Sequence, residues 1–141
     1  MDTRIIDRFT GEYYFLSNFY ETSVLYSDLL FENAEAAFQS AKCPERMGEF
    51  CHLKPSAAKR LGRRVKLRSD WDEVKDHVMY EVCKAKFTQN DGLKHKLKDT
   101  GDAILIEGNT WGDRIWGVCN GVGENRLGRI LMQIRDELGS T

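Results

Sequence analysis

Apolar residues recur along this chain with helical spacing in most segments and with strand spacing in a few. The segments predicted to be helical are residues 33–42, 45–52, 55–61, 70–89, a short stretch around Leu93 and Leu97, and 125–138. The predicted strands are the aromatic-rich residues 9–16, residues 23–26 and 29–31 around a Ser27-Asp28 turn, and residues 103–106. The pattern predicts a mostly helical chain that contains a short hairpin.

Particular residues mark the predicted ends of three helices. Asn33 is a good N-cap, and the alanines after it are strong helix formers. Gly62 suits the C′ position of the helix that Pro55 opens. The segment Asp70-Trp-Asp-Glu73 resembles a capping box, because an acid stands three residues after the proposed cap. These assignments predict where each helix begins or ends.

The size and charge of the chain limit the classes of protein to which it can belong. With 141 residues, it is long enough for one domain over residues 1–141 with its own core. The net charge of -1 provides no overall attraction to nucleic acid or to a membrane. No apolar run approaches the ~20 residues of a membrane span. Residues 1–7 are too polar for a signal peptide.

The four cysteines are scattered, without a Cys-x-x-Cys pair. Their pattern therefore favours neither a disulfide framework nor a zinc site. It is typical of a protein in the reducing cytoplasm. We expect no metal and no cofactor, and the sequence does not indicate an oligomeric state.

One polar stripe stands out on the predicted helix 33–42. Helical spacing places Glu35, Phe38, Gln39 and Lys42 along one side, while small alanines fill most other positions. Charged residues are usually exposed, so one interpretation is a solvated helix face. The other interpretation is that the stripe lines a functional site.

A run of basic residues follows this helix. From Phe50 to Ser69 there is no acidic residue. The run contains seven cations, which are Lys54, Lys59, Arg60, Arg63, Arg64, Lys66 and Arg68. Two interpretations stay open: a surface that contacts phosphate or nucleic acid, or a solvated face balanced by acids from elsewhere in the chain.

The segment 107–125 is rich in glycine and tryptophan. It holds five of the twelve glycines and two of the three tryptophans, Trp111 and Trp116. Glycine allows close backbone approach and tryptophan offers a flat stacking face, so the segment suits a ligand-binding loop. The alternative is an irregular loop whose tryptophans fill the core. The helix that starts near Asn125 has an N-terminus able to bind an anion.

Together, these features predict a pocket for a phosphorylated, ring-containing ligand. Cleavage of a glycosidic C–N bond requires a proton for the leaving base and stabilisation of positive charge at the sugar carbon. A carboxyl group such as that of Glu35 can act as acid or base, and a lysine of lowered pKa such as Lys42 can act as a nucleophile.

The motifs of this chain resemble those of the NADAR family, also called YbiA-like. The similar segments run in order from about residue 9 to 138, and they are Phe15-Leu-Ser-Asn-Phe-Tyr20, Ala34-Glu-Ala-Ala-Phe-Gln-Ser-Ala-Lys42, Ala58-Lys-Arg-Leu-Gly62, Lys86-Phe87, Thr100-Gly-Asp102, Ile106-Glu-Gly-Asn109, Trp111-Gly-Asp113, Trp116-Gly117, Asn125-x-Leu-Gly128 and Leu131-Met132. The resemblance implies a single compact α+β domain, mostly helical with a small antiparallel sheet.

The resemblance also implies an enzyme, a hydrolase of N-glycosidic bonds. One branch of the family is similar to enzymes that hydrolyse phosphorylated ribosylamino-pyrimidine intermediates of riboflavin synthesis. Another resembles enzymes that remove ADP-ribose from guanine in nucleosides or nucleic acid. The implied partner is thus a nucleotide or sugar phosphate, or an ADP-ribosylated nucleic acid.

The family pattern assigns roles to particular residues. The implied catalytic residues are Glu35 as acid or base, Lys42 as Schiff-base or electrostatic catalyst, and Asp113 as orienter or second carboxylate. The expected substrate-binding residues are Asn18, Phe19, Gln39, Arg60, Arg64, Arg68, Trp111, Trp116 and Asn125. Many members carry His after the helix Glu, where this chain has Ala36. This departure weakens any transfer of substrate from the Glu-His branch.

Two other functions stay open at this stage. A non-catalytic module that recognises ADP-ribose or a related nucleotide would use the same pocket without turnover. A nucleic-acid-binding protein would use the basic run and would lose affinity steeply with salt.

Overall fold

The computed structural model describes residues 4–139, so part of the polar N-terminal stretch and both ends of the predicted 1–141 domain lie outside the described residues. The α-helices in this range are α1 (Ala34–Ser40), α2 (Pro55–Gly62), α3 (Trp71–Gln89), α4 (Asp91–Asp99) and α5 (Arg126–Gly139). Two 3-10 helices cover Gly11–Leu16 and Pro44–Phe50. The strands are β1 (Ile5–Ile6), β2 (Glu21–Tyr26), β3 (Leu29–Asn33), β4 (Ile104–Leu105), β5 (Gly108–Asn109) and β6 (Val118–Cys119).

The predicted α+β class is confirmed, and so is the antiparallel hairpin. Strands β2 and β3 pair with Leu25 opposite Leu30. Ser27 and Asp28 between them have φ values of 54° and 65°, the left-handed conformation that a tight hairpin turn requires. Two parallel pairs, β1 with β4 and β5 with β6, were not predicted.

The prediction of a strand at residues 9–16 is wrong. Residues Gly11–Leu16 form a 3-10 helix, with the Tyr13 N–H donating to the Thr10 carbonyl at 3.0 Å. Consecutive residues Phe15 and Leu16 are both buried, whereas a half-buried strand would bury alternate residues. Aromatic content alone therefore gave a misleading indication of a strand here.

Of the three predicted helix ends, Asn33 is confirmed as an N-cap, Gly62 is wrong, and Asp70 is the N-cap residue of α3 but without the expected side-chain hydrogen bond. The Asn33 side chain accepts a hydrogen bond from the Ala36 N–H at 2.7 Å, as an N-cap does. Gly62 lies inside α2 rather than after it, and Arg63 is the C-cap. The Asp70 side chain makes no cap hydrogen bond and instead accepts from Arg68 Nε at 2.6 Å. The nearby guanidinium thus takes the carboxylate that was expected to cap α3.

The residues Asn18–Asn90 form one compact unit. It contains the hairpin β2–β3, the helices α1 to α3 and the second 3-10 helix. Its fully buried side chains include Val24, Phe31, Phe50, Val82 and Phe87. Every residue of α1 is buried, so this short helix runs through the core of the unit.

The described parts of Met1–Ser17 and Asp91–Thr141 form a second compact unit. Leu16, Leu97, Leu105, Leu131 and Ile134 are fully buried in it. Buried Arg135 donates from Nη1 to the Thr100 hydroxyl at 2.9 Å. This contact fixes the turn that ends α4.

One lysine of α3 is completely buried. Lys86 lies with its Nζ 5.0 Å from the Phe87 ring centroid and 5.7 Å from that of Tyr20. Burial lowers the pKa of Lys86 to about 8, because the charged form loses its hydration; the nearby Cys83 opposes the shift. The protein therefore holds a titratable group inside its core.

We expect Lys86 to make the stability of the protein rise with pH. Its folded pKa lies below the unfolded value, so between these values the unfolded chain binds more protons and the free energy of unfolding increases with pH. Between pH 7.5 and 9.5 the wild type should gain about 2 kcal/mol relative to Lys86→Met in urea unfolding. The exposed Lys98→Met variant is the control. Parallel pH profiles for wild type and Lys86→Met would contradict the prediction.

Candidate functional site

The helix α1 places Glu35 in its first turn and Lys42 just after its end. The Glu35 N–H donates to the Asn18 carbonyl at 3.0 Å, and Asn33 caps the same turn. Glu35 is 8% exposed and Gln39 is 5% exposed, while Lys42 is half-buried. The interpretation of this stripe as a solvated helix face is therefore wrong.

Gln39 is bound to Glu35 on the same face of the helix. Its Nε2 donates to Glu35 Oε2 at 2.6 Å, which fixes the orientation of the carboxyl group. Its buried Oε1 accepts no hydrogen bond from any residue that the structure describes. Buried polar atoms normally have a partner, so this oxygen is an exception among the described residues.

Gly62 of α2 packs directly against the Gln39 side chain. A Cβ atom at position 62 would overlap the side-chain amide of Gln39, so only glycine lets α2 approach α1 here. The role of Gly62 is therefore close packing against Gln39, and its predicted role at a helix end is not needed.

We expect Gly62→Ala to destabilise the protein by about 1–3 kcal/mol, the usual cost of overpacking, despite the better helix propensity of alanine. The matched control is Gly48→Ala, since a Cβ at Gly48 meets open space. Urea unfolding of the two variants measures the difference. Equal free energies of unfolding for the two variants would show that the close packing of Gly62 on Gln39 does not contribute to stability.

Lys42 lies in an aromatic and positively charged environment. Its Nζ is 6.0 Å from the ring centroid of Trp71, which packs on Phe38 at 5.2 Å. Burial lowers the pKa of Lys42; the Glu35 charge opposes this shift, and the charges of Arg63 and Lys59 add to it. A lowered pKa increases the fraction of neutral amine, the form that acts as a nucleophile.

The cations of the basic run differ in their partners. Arg68 is paired with Asp70 at 2.6 Å, and Lys54 with Glu21 at 3.0 Å, so the interpretation as a balanced face holds for these two. Arg60 and Arg64 are exposed and form no ion pair within residues 4–139. Their predicted contact with a substrate stays a prediction.

Asn18 and Phe19 lie beside the polar stripe. The Asn18 side chain donates to Met79 Sδ at 3.2 Å and accepts from Cys83 Sγ at 3.8 Å. Its backbone carbonyl holds the Glu35 N–H, so Asn18 acts as a support of α1. The ring of Phe19 lies 5.9 Å from Lys59 Nζ.

In the second unit, polar side chains hold the glycine-rich loop in shape. Asp113 Oδ1 accepts from the N–H groups of Ile115 and Trp116, at 3.1 and 3.0 Å. The Asn125 side chain accepts from the Glu107 N–H at 3.0 Å and donates to the Leu105 carbonyl at 2.9 Å. At least one oxygen of Asp113 is thus engaged in the loop, and its catalytic role stays a prediction.

The two tryptophans of this loop differ in exposure. Trp111 is 64% exposed, so the interpretation that it fills the core is wrong. Trp116 is half-buried. Trp111 therefore offers a free aromatic face, and the predicted stacking on a base or ribose stays a prediction.

Several residues that lie at these sites were not predicted from the sequence as site residues. Lys59, Arg63 and Trp71 surround Lys42, and Asn109 braces the loop by accepting from the Asp113 N–H at 3.0 Å. The spacing of Lys59 and Arg63, four residues apart on a predicted helix, was a usable signal. For Trp71 there was none, because its contact with Lys42 depends on the tertiary fold.

Within residues 4–139 there is no cluster of three or more His, Cys, Asp or Glu side chains suited to a metal ion. The helices of this range are also too short or too polar to cross a membrane. All four cysteines are free thiols.

Comparison with known proteins identifies the class of protein to which this fold and these motifs belong. The model of the NADAR domain matches residues 7–139. The chain therefore belongs to the NADAR family, as its motifs predicted.

Individual relatives agree with this assignment. A riboflavin biosynthesis protein of Vibrio vulnificus is 38% identical over 88% of this chain and 35% of its own length. The N-glycosidase YbiA of Shigella boydii is 45% identical over 60% of this chain and 54% of its own length. The matches thus span about half or less of these two relatives. The solved structure of the Escherichia coli protein YbiA matches with a TM-score of 0.88 and 32% identity, covering 99% of this chain and 88% of that chain.

Proposed function

We propose that this protein is an enzyme that hydrolyses the C–N bond between a phosphorylated ribose and a base. The observation that carries the proposal is the position of two groups on one short element: buried Glu35 in the first turn of α1, and half-buried Lys42, whose pKa is lowered by burial, just after the end of α1. A positioned carboxyl group and a lysine with neutral-amine character are the two groups that this reaction requires. Two relatives named N-glycosidase and riboflavin biosynthesis protein support the same class of chemistry.

In the proposed reaction, the ribose C1 is held at Lys42 and the leaving nitrogen at Glu35. The Glu35 carboxyl group first protonates the ring oxygen as the C1–O4′ bond breaks, and the opened ribose is joined to the base by a protonated C1=N bond. The neutral amine of Lys42 adds to C1, and the Glu35 carboxylate takes a proton from the resulting ammonium group. Glu35 then gives this proton to the nitrogen of the base as the C1–N bond to the base breaks, which leaves a protonated C1=Nζ imine and the Glu35 carboxylate. Water then hydrolyses the imine, releasing the ribose as its aldehyde and restoring the amine.

Two substrates fit this proposal. One is a phosphorylated ribosylamino-pyrimidine, which the name of the Vibrio relative favours. The other is ADP-ribosyl-guanine, as a nucleoside or within nucleic acid. The four cysteines are free thiols, and we therefore place the protein and its substrate in the reducing cytoplasm.

A base-release assay tests the proposal. The protein is incubated separately with ADP-ribosylated guanosine and with the phosphorylated ribosylamino-pyrimidine, and free base is followed by mass spectrometry. Borohydride added in parallel reduces any imine at Lys42 to a stable adduct. Release from one substrate with a Lys42 adduct is the expected result. Tight binding of ADP-ribose without release from either substrate would instead identify a non-catalytic binding module.

A further inference from the structure

The helix α2 presents its basic residues on two different faces. Its buried positions are Pro55, Ala58 and Gly62, and Gly62 packs against Gln39 of α1. Lys59 and Arg63 each follow a buried position and lie four residues apart, so they share one flank of this buried stripe.

Arg60 and Arg64 also lie four residues apart, but on the side of α2 opposite its buried stripe. Both are exposed to solvent, as is Arg63, whereas Lys59 is half-buried. Helical spacing, continued through the C-cap Arg63, therefore places Lys59 and Arg63 beside the face of α2 that meets α1, and Arg60 and Arg64 on the opposite side.

The flank of Lys59 and Arg63 lies beside the polar stripe of α1. Lys59 Nζ is 5.9 Å from the ring of Phe19, the residue after Asn18, whose carbonyl holds Glu35. Both cations act on the charge of Lys42, where Glu35 is the opposing acid. Lys59 and Arg63 therefore lie close enough to Lys42 to act on its charge, and Arg63 forms no ion pair within the described residues. This local excess of positive charge suits an anionic ligand.

We propose that Lys59 and Arg63 form the phosphate subsite of the site at Glu35 and Lys42, and that its ligand is a phosphomonoester or diphosphate attached to ribose. This inference rests on the proposed function for the position of the ribose, but not for the binding of phosphate itself. The guanidinium of Arg63 can donate two parallel hydrogen bonds to phosphate oxygens, and Lys59 supplies a point charge that Phe19 supports from one side.

This assignment replaces the expected phosphate contacts at Arg60, Arg64 and Arg68 with a different pair. Arg68 is already neutralised by Asp70 at 2.6 Å. Helical spacing places Arg60 and Arg64 on the side of α2 opposite the face that packs on Gln39. The two assignments therefore predict opposite results for matched pairs of substitutions.

Titration calorimetry with inorganic pyrophosphate and with ADP-ribose tests the subsite without turnover. The variants are Lys59→Gln/Arg63→Gln, Arg60→Gln/Arg64→Gln, and Lys94→Gln/Lys98→Gln, a control that removes two charges from α4. The Lys59→Gln/Arg63→Gln variant should bind both probes about tenfold more weakly or worse, as expected for loss of charged hydrogen bonds. The other two double variants should bind them less than about threefold more weakly. An equal or larger loss in the Arg60/Arg64 variant, or no loss in the first pair, would overturn the proposal.

A second measurement separates this inference from the proposed function. The Lys59→Gln/Arg63→Gln variant should have a higher KM than the wild type for a phosphorylated substrate. For the dephosphorylated substrate, the two proteins should have the same KM. If the wild type releases no base but the variant still loses pyrophosphate binding, the proposed function fails and the subsite stands. If base is released and the KM of the variant is unchanged with both substrates, the subsite fails and the proposed function stands.

Discussion

Replacing Lys42 with arginine is expected to lower kcat for base release by roughly 10³-fold or more, because the proposed nucleophile is lost. Arginine keeps the positive charge and the contact with Trp71 but stays protonated, so it cannot form an imine. The borohydride-trapped adduct should disappear with the activity. Rates of base release and the mass of the intact protein measure both effects.

The control for this substitution is Lys66→Arg, the same change at an exposed position of the basic run. It should keep the wild-type rate and adduct. If Lys42→Arg releases base at a rate near that of the wild type, Lys42 acts through its charge alone and the covalent step is wrong.

Replacing Glu35 with glutamine is expected to lower kcat by about 10²–10⁴-fold, the usual contribution of a positioned acid or base. Glutamine has nearly the same shape and can still bond with Gln39, so the fold should be kept. The loss should be smaller for a substrate whose leaving base needs no proton. Comparing the rates of two such substrates measures this dependence.

Glu32→Gln is the matched control, since Glu32 is an exposed carboxylate on β3, three residues before Glu35. Its rate should equal that of the wild type. An unchanged kcat in Glu35→Gln, or an equal loss for both leaving bases, would exclude Glu35 as the proton donor.

Local sequence signals predicted the parts of the fold that depend on neighbouring residues. The cap at Asn33 and the turn at Ser27-Asp28 are both present, because their hydrogen bonds and backbone angles are set within a few positions. The parallel pair of Ile5–Ile6 with Ile104–Leu105 was missed. Two-residue strands almost a hundred positions apart leave no periodic pattern.

The placement of Glu35, Gln39 and Lys42 together was predicted from the sequence, but the contacts that support them were not. Glu35 and Lys42 followed from helical spacing and from the family motifs. Asp70 is at the predicted N-cap position of α3, but its carboxylate binds Arg68 instead of the helix backbone. Gly62 is predicted to follow a helix end, whereas it lies inside α2 and packs closely against Gln39. Such contacts arise only when α1 and α2 pack together.

The most direct test of the account is the rate of base release by the wild type and by the double variant Glu35→Gln/Lys42→Arg, measured on the preferred phosphorylated N-riboside. The account predicts that the wild type releases free base, and that the folded double variant releases it no faster than the uncatalysed reaction. Equal rates for the two proteins, or no release by the wild type from either substrate, would contradict the claim that α1 carries an N-glycosidase site.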